Sequence, residues 1–135
     1  MSNPLELNHA KHDEEIATML HTGKKSVQWT VIVCFYSALH YVRSKIFPLT
    51  EVSGGVTTTY NSFDDYHTRL RADGHSMHDR LVILTWRDLN SIAAKYQWLF
   101  NSSITARYNN YEPDPRASDM SMKYLLEIKK ECTKK

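Results

Sequence analysis

An apolar segment runs from Trp29 to Phe47 and is followed directly by Pro48. Because apolar side chains occupy almost every face of a helix built from it, the segment predicts a helix at the centre of the fold. Ser26 is a suitable N-cap for this helix, and Pro48 cannot continue it. The polar side chains of His40 and Arg43 interrupt the segment, so a membrane span is not expected.

Three further segments show helical periodicity, and the 135 residues include four Gly and four Pro, so few turns are expected. The four predicted helices cover about 5–21, 26–47, 76–102 and 118–132. No segment alternates as a half-buried strand does, and the Gly- and Thr-rich segment 48–65 is predicted to be a long loop with at most a short hairpin. We therefore expect a single all-α domain over residues 1–135, folded as an up-and-down helix bundle.

The charge of the chain is nearly balanced, with 17 basic and 15 acidic residues and a net charge of +2. This balance does not by itself indicate a nucleic-acid-binding protein. The two cysteines, Cys34 and Cys132, lack the spacing of a disulfide framework or a zinc site, and the polar N-terminal residues do not resemble a signal peptide. We therefore expect a cytoplasmic protein.

Residues 66–80 hold an unusual concentration of histidine and arginine. Histidine exchanges protons near neutral pH, and arginine binds a phosphate group bidentately without losing its charge. These properties suit phosphodiester chemistry without a metal ion. The candidate catalytic residues are His75, His78, Arg69, Arg71 and Arg80. A solvated loop that ends in a helix cap explains the same residues equally well.

A second set of candidates follows one face of the central helix. Tyr36, His40 and Arg43 are spaced i, i+4 and i+7, so their polar ends lie on the same side. Arg107 and Tyr108 combine a cation with an aromatic ring, as in sites that stack nucleobases. These five residues are candidates for binding RNA or a nucleotide. The alternative is that Tyr36 and His40 are satisfied by hydrogen bonds inside the bundle with Arg43 exposed at its end, and that Arg107 and its neighbouring aromatic rings form a packed corner.

Other kinds of site have less support in the sequence. His75 and His78 could bind a metal ion only with a carboxylate or thiolate partner at an unknown distance. There is no glycine-rich phosphate loop, and Cys34 lies in an apolar helix without a paired histidine. We expect neither a metal nor a cofactor.

Several segments between residues 8 and 108 form a pattern that resembles a known family. They are Asn8, His9 and His12, the segment 29–42, His78, Asp79 and Arg80, the segment 96–99, and Ala106, Arg107 and Tyr108. Together they resemble small bacterial HEPN-type proteins (higher eukaryotes and prokaryotes nucleotide-binding).

This resemblance implies a bundle of four or five helices that forms a homodimer with a cleft at the subunit interface. Many such proteins are metal-independent endoribonucleases of toxin or defence systems, controlled by an antitoxin or a nucleotidyltransferase partner. Their active site is an Arg followed a few residues later by His, and their products carry cyclic phosphate ends. The chain offers this spacing as Arg69 with His75 and as Arg71 with His78, both ahead of the third predicted helix.

Two hypotheses for function follow. The first is a homodimeric protein that binds RNA or a nucleotide and cleaves RNA, with His75 or His78 as the acid or base. The second is a non-catalytic module of the same fold that mediates dimerisation or partner docking through its apolar helix and tyrosine-rich corners. Convergence of the His and Arg candidates on one cleft would favour the first, and their saturation by internal hydrogen bonds would favour the second.

Overall fold

The computed structural model describes residues 3–108 and 114–134. The described residues form six α-helices and one β-hairpin, so the protein is mostly helical, as predicted. The elements in chain order are α1 (Pro4–Thr22), α2 (Val27–Ile46), β1 (Leu49–Ser53), β2 (Val56–Tyr60), α3 (Phe63–Leu70), α4 (Met77–Asp88), α5 (Asn90–Tyr108) and α6 (Pro115–Cys132). A short 3-10 turn, Arg71–Asp73, connects α3 to the segment before α4.

Helix α2 lies at the centre and packs against α1, α5 and α6. Its N-terminus is capped as expected, since the Ser26 side chain accepts a hydrogen bond from the backbone N–H of Trp29 at 3.1 Å. One face of α2 is buried in the core, and its residues are Ile32, Phe35, Leu39, Val42 and Ile46. Among the described helices, none combines the length and the apolar character needed to cross a bilayer.

Helices α1 and α2 run antiparallel and approach closely because small residues lie between them. Ala10 and Ala17 of α1 are fully buried, and the Ser37 hydroxyl donates a hydrogen bond to the Ala10 carbonyl at 2.7 Å. The backbone N–H of Asn3 donates to the Ser44 carbonyl at 3.1 Å. This contact fixes the start of α1 beside the C-terminal half of α2.

The third predicted helix, 76–102, is two helices in the structure. The chain leaves the helix at Leu89, where φ is −131° and ψ is 48°, and α5 begins at the next residue. Helix α5 then folds back along α4, since Trp86 donates a hydrogen bond to Gln97 at 2.9 Å and the rings of His78 and Phe100 are 5.3 Å apart. No Gly or Pro marks the break, so the pattern of apolar residues predicts one continuous helix.

The segment 48–65 contains more structure than expected. Strands β1 and β2 pair antiparallel with Leu49 opposite Tyr60, and Gly54 and Gly55 make the turn with φ of 56° and 78°, a conformation that favours glycine. Helix α3 begins inside the predicted loop, and Phe63 at its start contacts Phe47 with ring centroids 5.8 Å apart. The hairpin and α3 therefore lie against the C-terminal end of α2.

Candidate functional site

A cleft of about 260 Å³ opens between α2, α3 and the start of α4. It is the place where several candidate residues from distant parts of the sequence meet. The residues that line it are Tyr36, Leu39, His40, Arg43, Phe63, Met77, His78 and Leu81. The spacing of Tyr36, His40 and Arg43 on one face of α2 therefore correctly predicts that they share a wall.

His78 reaches the cleft from the first turn of α4. This turn is fixed by Ser76, whose side chain accepts a hydrogen bond from the backbone N–H of Asp79 at 3.1 Å. The imidazole ring packs against Phe35 and Phe100, with centroids 5.7 and 5.3 Å away. The two phenylalanine rings hold the imidazole in place and leave it partly exposed to the cleft.

The environment of His78 favours its neutral form. Burial lowers the pKa of His78 below the usual value of 6.5, and the positive charge of Arg107 and, more weakly, that of Arg43 lower it further. The carboxylate of Asp79 acts in the opposite direction without cancelling these effects. The imidazole is therefore neutral at pH 7 and able to accept a proton.

Arg107, near the C-terminal end of α5, lies beside Tyr36 and adjoins the cleft without lining it. Its Nη1 donates a hydrogen bond to the Tyr36 hydroxyl at 2.6 Å, and its Cζ lies 5.7 Å from the centre of the Tyr36 ring. Nε of the same side chain donates to the Ser103 carbonyl at 3.3 Å. These contacts orient a second guanidinium group beside the wall formed by α2.

Glu6 of α1 connects two of the candidate residues. Its Oε2 accepts a hydrogen bond from Nδ1 of His40 at 2.6 Å, while its Oε1 lies 3.3 Å from Nε of Arg43. Burial alone would raise the pKa of Glu6, but the hydrogen bond from His40 and the charge of Arg43 outweigh it and lower the pKa below 4.5. Glu6 is therefore ionised at neutral pH and holds both side chains in position.

Arg43 is also contacted by α3. Its Nη2 donates a hydrogen bond to Oδ1 of Asp64 at 3.0 Å, and its Cζ lies 5.0 Å from the centre of the Phe63 ring. The Arg43 side chain is 12% exposed, whereas that of Asp64 is 69% exposed. Nothing in the local pattern of Glu6 or Phe63 indicates a partner on α2, so neither residue is predicted from the sequence.

Arg80 does not line the cleft. Its guanidinium group is buried in the corner between α3 and α4, where Nη1 and Nη2 bind both carboxylate oxygens of Asp73 at 2.8 and 2.6 Å. Nη2 also donates to the Leu70 carbonyl at 3.1 Å, and Nε donates to Nδ1 of His67 at 2.9 Å. The pKa of Asp73 is lowered, mainly by the hydrogen bonds from Arg80. These contacts fix the path of the chain ahead of α4.

The remaining candidates of the 66–80 stretch also lie outside the cleft. Arg69 pairs with Asp65 one helical turn earlier at 3.0 Å, and Arg71 is exposed at the start of the 3-10 turn. His75 is exposed ahead of α4 and borders a separate surface depression. Tyr108 ends α5, and its side chain lies outside the described residues.

A larger cleft, about 610 Å³, lies at the opposite end of α2, between the end of α1 and the start of α6. None of the candidate residues lines it. Nε2 of His21 lies 2.7 Å from Oδ1 of Asp119 in this larger cleft, so these two side chains are already paired with each other. The smaller cleft therefore remains the candidate site.

Two other kinds of chemistry were considered for the chain. Burial raises the pKa of the Cys34 thiol to about 12, and its Sγ contacts the sulfur of Met122 at 3.4 Å, so this cysteine is not an activated nucleophile. Within residues 3–108 and 114–134, no group of three or more His, Cys, Asp or Glu side chains is arranged to bind a metal ion.

Comparison of the chain with protein-family models, with curated proteins and with solved structures gives no match. The chemistry of the cleft therefore has to be inferred from its own residues. The Arg43 guanidinium, a neutral imidazole and a carboxylate-bound histidine line the cleft, and the Arg107 guanidinium adjoins it. This combination is suited to binding and transferring a phosphate group.

Proposed function

We propose that the chain binds RNA or a nucleotide by seating a phosphate group in the cleft, and that it cleaves RNA without a metal ion. The observation that carries this proposal is the position of His78, which is held in its neutral form beside the positive charges of Arg43 and Arg107. An imidazole that is kept neutral by burial and by neighbouring cations can accept a proton when an anion enters and offsets the positive charge. Arginine side chains recognise phosphate through charge-assisted hydrogen bonds.

The residues of the cleft suggest roles in the cleavage step. The neutral His78 takes the proton of the ribose 2′-hydroxyl, whose oxygen then attacks the adjacent phosphorus. Arg43 and Arg107 stabilise the charge that develops on the phosphorane. His40, with Nδ1 bonded to the ionised Glu6, acts in its doubly protonated form and donates the proton of Nε2 to the departing 5′-oxygen. The products are a 2′,3′-cyclic phosphate and a free 5′-hydroxyl.

Most of the residues that take part in this proposed mechanism lie outside the 66–80 stretch. Of the five residues first considered catalytic, His78 alone lines the cleft, and the arginines now invoked are Arg43 and Arg107. The resemblance to HEPN-type proteins supports a homodimeric, HEPN-like bundle in a cytoplasmic toxin or defence system, with an antitoxin or nucleotidyltransferase partner. The exposed indole of Trp29 and the exposed side chain of Met19 are consistent with such contacts.

The alternative is a non-catalytic interaction module, and one observation favours it. His40 is hydrogen-bonded to Glu6, and Arg43 forms ion pairs with Glu6 and Asp64, so both side chains have partners within the fold. Under this alternative the cleft is a structural feature, and changing it alters stability without altering any RNA-dependent property.

One experiment separates the two. The full chain is incubated with single-stranded RNA in the presence of a metal chelator, and the ends of the products are identified. We expect cyclic phosphate ends, and we expect His78→Ala to reduce the rate by about a hundredfold or more. His75→Ala is the matched control, because His75 is exposed and lies outside the cleft. Absence of cleavage, or equal rates for the two variants, would contradict the catalytic proposal.

A further inference from the structure

Arg43 has two carboxylate partners that differ sharply in their surroundings. The side chain of Glu6 is 15% exposed and is held a second time by His40. The side chain of Asp64 is 69% exposed and makes its ion pair with Nη2 of Arg43 from the first turn of α3. One partner is thus built into the fold, while the other approaches from the solvent side.

We propose that Asp64 is an exchangeable counter-ion of Arg43. Its carboxylate pairs with Arg43 when the cleft is empty, and a phosphate group displaces it on binding. This inference rests on the proposed function, because it assigns a regulatory residue to the same cleft. The carboxylate of Asp64 then competes with the ligand for Arg43, so that the charge of Arg43 is neutralised when no ligand is bound.

The energetics of the two ion pairs support this exchange. An exposed ion pair contributes little to stability, because water and salt screen it and its side chains lose conformational freedom. A phosphate oxygen offers Arg43 a charge-assisted hydrogen bond of the same kind as the one it replaces. Glu6 is not exchanged, because removing a partly buried carboxylate would leave both His40 and Arg43 without their shared partner.

The geometry allows Asp64 to leave without moving the guanidinium group. The Phe63 ring lies 5.0 Å from Cζ of Arg43 on one side, and Oε1 of Glu6 lies 3.3 Å from its Nε. These two contacts hold the group after Nη2 is released. The ligand therefore competes for one bond, that between Nη2 and Oδ1 of Asp64, and finds the rest of the arginine already oriented.

The adjacent residue provides a matched control. Asp65 lies in the same turn of α3 and carries the same charge, but its carboxylate pairs with Arg69, which is outside the cleft. Asp64→Asn and Asp65→Asn therefore change the net charge and the helix N-terminus in the same way. A difference between them reports the ion pair with Arg43.

The test measures binding of the full-length protein to a short, fluorescein-labelled 2′-O-methyl oligouridylate, a probe without the 2′-hydroxyl needed for cleavage. We expect Asp64→Asn to tighten binding by about fivefold, the size expected from releasing one exposed ion pair, and Asp65→Asn to change it by less than about twofold. In the Arg43→Lys background, which keeps the charge but not the planar group, the gain from Asp64→Asn should disappear.

The other outcomes are also informative. Equal gains for Asp64→Asn and Asp65→Asn, or a gain that persists in the Arg43→Lys background, would overturn the exchange while leaving the cleft as an RNA site, provided that Arg43→Lys alone weakens binding. If neither the unchanged protein nor Asp64→Asn binds the probe, or if Arg43→Lys leaves binding unchanged, the proposed function itself fails, and the exchange fails with it.

Discussion

Nδ1 of His40 lies 2.6 Å from Oε2 of Glu6, although the two residues are 34 positions apart in the sequence. An ionised carboxylate can only accept, so Nδ1 of His40 carries a proton, while its Nε2 lies 4.0 Å from Oδ2 of Asp13. The other oxygen of Glu6 pairs with Arg43. One acidic residue on α1 therefore sets the orientation of two polar groups on α2.

Replacing this carboxylate should lower stability. We expect Glu6→Gln to reduce the free energy of unfolding by about 1–3 kcal/mol, because it removes a charge-assisted hydrogen bond from His40 and an ion pair with Arg43, both of which are partly buried. Urea denaturation at neutral pH measures the change. Glu15→Gln is the control, since Glu15 is exposed on the same helix. Equal stability of the two variants would contradict the role given to Glu6.

The same residue predicts a pH dependence. The pKa of Glu6 is lower in the folded protein than its usual value of 4.5, so its contribution to stability is present above pH 4.5 and is lost as pH falls through the lowered value. The stability difference between the unchanged protein and Glu6→Gln should therefore shrink on acidification below about pH 4.5. A difference that stays constant down to strongly acidic pH would show that folding does not lower the pKa of Glu6.

The charge beside His78 can be tested by titration. Arg107→Met removes a nearby positive charge and should raise the pKa of His78, because the imidazolium form is then less disfavoured. Titration of the histidine ring protons by NMR measures this directly. Arg69→Met, which alters an arginine outside the cleft, should leave the value unchanged. A pKa of His78 that does not respond to Arg107→Met would remove the electrostatic basis of the proposed proton acceptor.

Arg80 is expected to matter for folding and not for RNA binding. Its side chain is 6% exposed and bonds to Asp73, to His67 and to a backbone carbonyl. Arg80→Met should lower the free energy of unfolding by about 2 kcal/mol, with binding of the 2′-O-methyl probe kept within about twofold. Arg71→Met, at an exposed neighbouring position, is the control for stability. Loss of probe binding by a folded Arg80→Met protein would show that Arg80 contributes to RNA binding.

The Tyr36 hydroxyl should tune the cleft through Arg107. Tyr36→Phe removes the acceptor that lies 2.6 Å from Nη1 of Arg107, so the guanidinium group is held less firmly. Binding of the same probe should weaken by about fivefold. Tyr60→Phe, in the hairpin, is the control. Equal affinities of the two variants would mean that this hydrogen bond does not position Arg107 for the ligand.

Much of the fold follows from local sequence rules. The apolar character of α2 and the stops at Ser26 and Pro48 predict a central helix with nearly correct ends. The break at Leu89 was missed because no Gly or Pro interrupts the apolar pattern there, and the reversal depends on packing between α4 and α5. Helix α3 was missed because its eight residues are too few for a clear period.

The candidate site divides along similar lines. Tyr36, His40 and Arg43 share a wall because residues three and four apart lie on one face of a helix. His78 and Arg80 are two positions apart on α4, so they point about 200° apart around its axis, and in the structure one faces the cleft while the other is buried in a corner. The His and Arg residues of the 66–80 stretch are close in sequence but do not lie together at one site in the structure.

The central claim is that the cleft on α2 is where a phosphate-bearing ligand binds. It is tested most directly by following the backbone and histidine ring NMR signals of the full chain during titration with the 2′-O-methyl oligouridylate. We predict that the largest shifts occur at Tyr36, His40, Arg43, His78 and Arg107, and that His75 and Arg71 change little. Shifts that concentrate on His75 and Arg71, or no shifts at all, would contradict the assignment.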